Sequence, residues 1–332
     1  MDYNKIIRDL KNKVYHPVYL LYGEEEYFID QISDYIEENI LDDSEKEFNQ
    51  SVHYGLDVNV LDLISEAKRY PMMAPYNVVI VKEAQVIRNI TELEKYVEQP
   101  SPTTVLVLNY KHGKPDGRKN YVKLIKKKGV LFESKRLYDN QVPAWIEQYI
   151  SAKEVRITPK AIQLLIAYLG TDLSKIANEI DKLIISTPKG GVIDDEQIER
   201  NTGISKDYNV FELNNALGRK DVLRANVIIN HFGNNTKDHN ISMLLPMVYR
   251  YFSQLLLFHT VSKKDKTTQA RVLGINPFFI KDFQAASRYY SIKKIARIME
   301  YLREADIQSK GLKGGGMNQH EILKELVFKI LH

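Results

Sequence analysis

The chain has 332 residues, 44% of them hydrophobic and 27% charged, an ordinary balance for a folded protein with room for two or three domains. It contains no cysteine, which excludes disulfides, thiolate zinc sites and thiol catalysis and suits a reducing compartment. The net charge of +4 hides an asymmetry: residues 1–209 hold 28 Lys+Arg against 33 Asp+Glu, a net of −5, whereas residues 210–332 hold 19 against 10, a net of +9. A basic last third suits nucleic acid or an acidic partner, and equally a helical domain kept soluble by its charge.

Residues 1–5 lack the apolar core of a signal peptide. From Pro17 to Asp30 an apolar run, Val18 to Tyr22, stops at Gly23, and apolar residues then repeat at helical spacing from Tyr27 to Ile40. A strand, a tight turn and a helix in that order are where an α/β nucleotide-binding domain holds phosphate on backbone N–H groups and the positive helix end. Here the turn has one glycine and no Gly-Lys-Ser/Thr, and Glu24, Glu25 and Glu26 stand at the helix start, where they complement the dipole themselves and repel a triphosphate.

Further strands are predicted at Phe48 to Tyr54, Asn77 to Lys82, Thr104 to Asn109 and Val130 to Glu133. Helices are predicted between them at Val58 to Lys68, Ile90 to Val97 and Arg118 to Lys126. This alternation predicts a mainly parallel sheet covered on both faces, over residues 1–140. After Tyr138 strand signals stop almost completely. Helices read at Gln141 to Ser151, Pro159 to Leu169, Leu173 to Ile185 and Asp194 to Asn201, with starts marked by Thr158-Pro159 and Thr171-Asp172, form a small helical unit over 141–209.

From residue 210 onward the helices lengthen: Phe211 to Leu217, Val222 to His231, Ile241 to Val261, Asn276 to Ala286, Ile292 to Gln308 and Gln319 to Leu331, a bundle over 210–332. Pro246, Arg250 and Gln254 interrupt Ile241 to Val261, which reads as a buried amphipathic helix and not a membrane span.

Three places carry chemistry worth weighing. Pro71-Met72-Met73-Ala74-Pro75 joins a helix to a strand; its methionines either cap the sheet edge or stand in solvent, where adaptable apolar side chains suit a partner's pocket. Lys126-Lys127-Lys128 is a solvated helix face or a phosphate contact. Gly314 to Gly316 precede the last helix as a flexible connection or a close backbone approach to phosphate, with Lys310 and Lys313 beside them as candidate DNA contacts. The eight histidines form no metal-binding pair, no Ser sits in Gly-x-Ser-x-Gly, and no catalytic centre is visible, so neither a metal nor another cofactor is expected.

Together these features resemble the delta subunit of the bacterial DNA polymerase III clamp loader over nearly the whole chain. The opening Pro17 to Glu25, Leu169 to Leu183, the run Phe211 to Leu217, Leu273 to Phe279 and Ala305 to Gly311 carry the resemblance. It implies an AAA+-like α/β domain without a phosphate loop, then a helical lid, then a helical collar that joins other loader subunits in a ring. It also implies a subunit that binds and opens the sliding clamp for loading onto primed DNA without hydrolysing ATP, in the bacterial cytoplasm and away from membranes. Any classification as a DNA-directed DNA polymerase would come only through the holoenzyme.

The family's apolar wedge falls on Met72 and Met73, flanked by Pro71 and Ala74. Two methionines depart from the frequent Leu-Phe by keeping apolar volume and losing the rigid aromatic anchor. An aromatic that some members set against the template in the loop before the last helix has no counterpart in Gly314 to Gly316. An active ATPase, another clamp-loader subunit and a free-standing DNA-binding AAA+-like protein are the competing readings. The stator-like sister subunit usually carries a four-cysteine zinc module, against which the absence of cysteine argues.

Overall fold

A computed structural model describes residues 2–202, 207–234, 240–312 and 318–332. The chain forms two compact units, residues 1–137 and 138–332.

In the first unit α1 (Tyr3–Lys11) precedes β1 (Val18–Gly23), α2 (Glu26–Asn39), α3 (Asp43–Asn49) and β2 (Gln50–Tyr54). Next come α4 (Val60–Ala67), β3 (Asn77–Lys82), α5 (Glu94–Val97), β4 (Thr104–Lys111), α6 (Asn120–Lys128) and β5 (Val130–Ser134). The five strands are all parallel in the order β2-β3-β4-β1-β5. Side chains alternate across the pleat. Val18, Leu20 and Tyr22 therefore join Val79, Val81, Leu106 and Leu108 in one core with α4, α5 and α6. Tyr19 and Leu21 join Val78, Ile80, Val105 and Val107 in the other with α1 and α2. This two-sided burial is why β1 reads as an unbroken apolar run. Tyr19 keeps its hydroxyl inside by accepting from the His16 N–H at 3.0 Å, and burial pushes its pKa up to about 12.

The strands expected from the sequence all form, with one shift. Phe48 and Asn49 end α3 and are not strand, because Asp42 and Glu45 make a capping box that starts a helix there. Helix α1, capped by Asp2, also escaped the sequence reading, as did α3. The expected helix Ile90 to Val97 is a 3₁₀ turn, Ile90–Leu93, running into α5, and Arg118 to Lys126 is displaced to Asn120–Lys128. Lys126, Lys127 and Lys128 form the exposed last turn of α6, where cations complement the helix dipole, and Lys128 also donates to the Glu98 carbonyl.

The second unit opens with α7 (Val142–Ser151), β6 (Arg156–Ile157), α8 (Pro159–Leu169), α9 (Leu173–Ile185), β7 (Val192–Ile193) and α10 (Asp195–Thr202). The short parallel pair β6-β7 is the exception in a stretch where strand signals stop almost completely; two-residue strands leave no periodicity to read. Thr158 and Asp172 cap α8 and α9 as expected.

Then follow α11 (Val210–Gly218), α12 (Val222–Asn234), α13 (Ile241–Val261), α14 (Lys266–Leu273), α15 (Ile280–Ser287), α16 (Ile292–Ser309) and α17 (Gln319–Leu331). Helix α14, between Asp265 and Gly274, was not foreseen. Helix α13 is long and apolar enough to cross a membrane by length and composition. Its buried residues Leu244, Val248, Phe252 and Leu255 are spaced along one face and belong to the core of this unit. Tyr290 anchors that core, donating from its buried hydroxyl to the Leu217 carbonyl at 2.7 Å and meeting Phe252 edge-on at 5.4 Å.

Gly23, at φ 140, ends β1 where a Cβ would lie 1.9 Å from the Ser134 carbonyl oxygen. Gly23→Ala is therefore expected to lose about 2 kcal/mol or more in urea unfolding. Gly117→Ala, which meets nothing within 4 Å, should change stability by less than about 0.5 kcal/mol.

Candidate functional site

The segment 71–75 connects α4 to β3 at the end of the sheet where the strands begin. Its base is pinned. Thr104 Oγ1 donates to the Ala67 carbonyl at 2.8 Å, Asn77 Nδ2 to the Glu66 carbonyl at 3.1 Å, and the Asn77 N–H to the Thr103 carbonyl at 2.8 Å. Ala74 and Tyr76 pack against the core on the α1 and α2 side, and Tyr76 meets Tyr15 edge-on at 5.2 Å.

The middle of the segment is held by one residue. Asn49, only 2% exposed, accepts from the Met72 N–H at 2.6 Å and donates from Nδ2 to the Met72 carbonyl at 3.0 Å. The same Nδ2 donates to the Glu45 carbonyl at 3.0 Å, one turn back in α3. Both polar groups of the Met72 backbone are thus satisfied inside, as buried amides require. The side chains go the other way: Met72 is 57% exposed and Met73 102%. Met73 lies in the left-handed region at φ 53, a conformation costing an L side chain roughly 1 kcal/mol. Phe48, the chain neighbour of Asn49, and Tyr70 are also mostly exposed. The two methionines therefore do not cap the sheet edge; they form an apolar tip on a fixed base. Pro71 and Ala74, the other expected site residues, are half-buried and flank it.

At the opposite end of the sheet, the β1–α2 turn has no free phosphate cradle. The N–H groups of Glu24 and Glu25 point at the Ser134 carbonyl of β5, at 3.0 and 3.3 Å, and Ser134 Oγ donates to the Glu25 carbonyl at 2.6 Å. The Glu25 carboxylate caps α2 through the Tyr27 N–H. Lys111 Nζ lies 2.8 Å from Asp30 and 3.3 Å from Glu26. Burial alone would lower the Lys111 pKa, but these carboxylates outweigh it and hold it above the ordinary lysine value. The Lys111 ammonium is therefore spent on α2.

Of the expected DNA contacts, Lys310 is the C-cap of α16 and pairs with Asp306 at 2.7 Å. Lys313 and Gly314 to Gly316 lie outside the described residues. Among the described residues no group of three or more His, Asp or Glu is placed to hold a metal ion. Asn49 and Ser134 were missed in the sequence, because each acts on a segment far along the chain, 23 residues away for Asn49 and 109 for Ser134.

Such a frame, an all-parallel AAA+-like sheet with an internally bonded β1–α2 turn, followed by a helical unit, defines the class of protein by its fold. Family models described as "DNA polymerase III, delta subunit" and "DNA polymerase III delta subunit, C-terminal domain" match residues 19–135 and 207–330. The DNA polymerase III subunit delta of Bacillus subtilis (strain 168) is 27% identical over 331 residues, covering 96% of this chain and 94% of the relative. The solved structure of the Bacillus subtilis DNA clamp loader delta protein is 24% identical, covers 99% of both chains and superposes with a TM-score of 0.55, a likeness of fold. The chain belongs to the delta-subunit family of the bacterial DNA polymerase III clamp loader.

Asn49→Ala should cost about 1–3 kcal/mol, since it strands both Met72 backbone groups. The check is urea unfolding together with limited proteolysis, in which cleavage within 71–75 is expected to accelerate.

Proposed function

We propose that this chain binds the sliding clamp through Met72 and Met73 and holds one clamp interface open for loading onto primed DNA, without hydrolysing ATP itself. The observation that carries the reading is the apolar tip itself, two exposed methionines on a backbone fixed by Asn49. Burying two methionine side chains is worth about 3–6 kcal/mol before ordering costs. If that contact forms only with the opened clamp, it shifts the closed–open equilibrium by about two to four powers of ten, and no bond chemistry is needed. The fixed base keeps the ordering cost low, and methionine's adaptability replaces the shape match of an aromatic anchor.

The sealed β1–α2 turn supports the absence of ATP hydrolysis, because its two leading amides already have an acceptor and Glu24, Glu25 and Glu26 put negative charge at the helix start. ATP held by neighbouring subunits would then decide when the tip is presented. In this reading residues 1–140 are the clamp-binding domain, 141–209 the lid and 210–332 the collar that joins other loader subunits in a hetero-oligomeric ring, all in the bacterial cytoplasm.

Met72→Ser with Met73→Ser is expected to weaken binding to the cognate clamp about 100-fold or more, with circular dichroism and thermal unfolding unchanged. Unaltered affinity in the folded double variant would remove the tip from the interface, and ATP turnover by the purified chain would overturn the non-hydrolysing role.

A further inference from the structure

The second unit has a cation-lined cavity of about 250 Å³ between the start of α16 and the end of α17. Ser291, Lys293, Lys294, Arg297, Tyr301 and Lys329 line it. The charges are unequal in status. Lys329 is neutralised by Glu325 at 2.6 Å and Glu304 at 3.7 Å. Lys293, Lys294 and Arg297 have no carboxylate within ion-pairing distance among the described residues, and Lys293 and Arg297 are exposed one turn apart on the same helix.

Lys294 is held against the core. Its ammonium sits 5.4 Å from the Tyr290 ring centre, and Lys220 Nζ lies 5.7 Å from the same ring while donating to the Leu331 carbonyl at 2.6 Å. Burial, then the neighbouring Lys220 ammonium, pushes Lys294 down to about 8. Two cations converging on one ring, neither with a carboxylate in ion-pairing distance among the described residues, are an arrangement that an incoming anion relieves. The first turn of α16 adds the positive end of an 18-residue helix on the same side.

We propose that this cavity is a phosphate-binding site for the DNA backbone, gripped by Lys293, Lys294 and Arg297 at the α16 N-terminus. DNA is favoured over other phosphate carriers by what surrounds the cavity. Arg288 and Tyr289 are exposed immediately before α16, so a further cation and a flat ring for base stacking adjoin the grip. Residues 210–332 carry a net +9, which draws in a polyanion more strongly than a single anion. The family acts in DNA replication. The site lies at the opposite end of α16 from Lys310, which is already paired. It does not rest on the assignment of Met72 and Met73 to the clamp.

The test is fluorescence anisotropy of the full chain on a labelled primer–template duplex, repeated from low to moderate salt. Lys293→Ala with Arg297→Ala is expected to weaken binding about tenfold and to make the slope of log affinity against log salt shallower by about two. Lys263→Ala with Lys264→Ala, exposed lysines elsewhere in the unit, should leave both quantities near the wild-type values. Absence of wild-type binding at low salt, or an equal loss in the two double variants, would overturn the proposal. A parallel titration with inorganic phosphate separates the sources. If the Lys293/Arg297 substitutions abolish phosphate binding and leave DNA affinity and slope intact, the cavity holds free phosphate and the DNA assignment is wrong.

Discussion

The buried amide of Asn49 is the constraint on which the exposed apolar tip of the first unit depends. An apolar loop in water ordinarily collapses onto the nearest core, and its backbone groups follow. Here a residue 23 positions upstream takes both the N–H and the C=O of Met72, so the backbone stays in and the side chains are turned out. The left-handed turn at Met73 is the cost of that orientation, and it persists because the residues on either side are fixed. The result is an apolar tip that need not be ordered when a partner arrives.

At the other end of the same sheet, the turn between β1 and α2 is bonded internally. A phosphate turn works through unpaired amides at a helix start. Ser134 supplies those amides with a carbonyl, and glycine at position 23 allows β5 to come close enough to do so. Glu25 and Glu26 then act on α2 and on Lys111. That turn is thus a structural joint between β1, α2 and β5, and the apolar tip stands at the other, strand-start end of the sheet.

Much of this fold was legible in the sequence because β1, β3 and β4 are buried on both faces and read as plain apolar runs, and because Thr158 and Asp172 mark helix starts by their chemistry. What escaped was local structure with little periodicity: α1, α3, α14 and the two-residue strands β6 and β7. The positions of Met72 and Met73 were legible, but their exposure was not. Spacing alone left capping of the sheet edge open, and the residue that decides the matter is an ordinary-looking asparagine at a helix–strand junction. The basic cavity at the α16 N-terminus was hidden for the same reason, since Lys329 on α17, its far wall, stands 36 residues after Lys293.

The two units thus present different chemistry, an apolar tip on the first and, among the described residues, cations without a carboxylate partner on the second. The central claim is that the tip touches the clamp, and site-specific photo-crosslinking tests it most directly. A benzophenone side chain at position 73 should crosslink to the cognate sliding clamp, while the same group at position 127, on the exposed last turn of α6, should not. A crosslink from position 127 with none from position 73 would contradict the account.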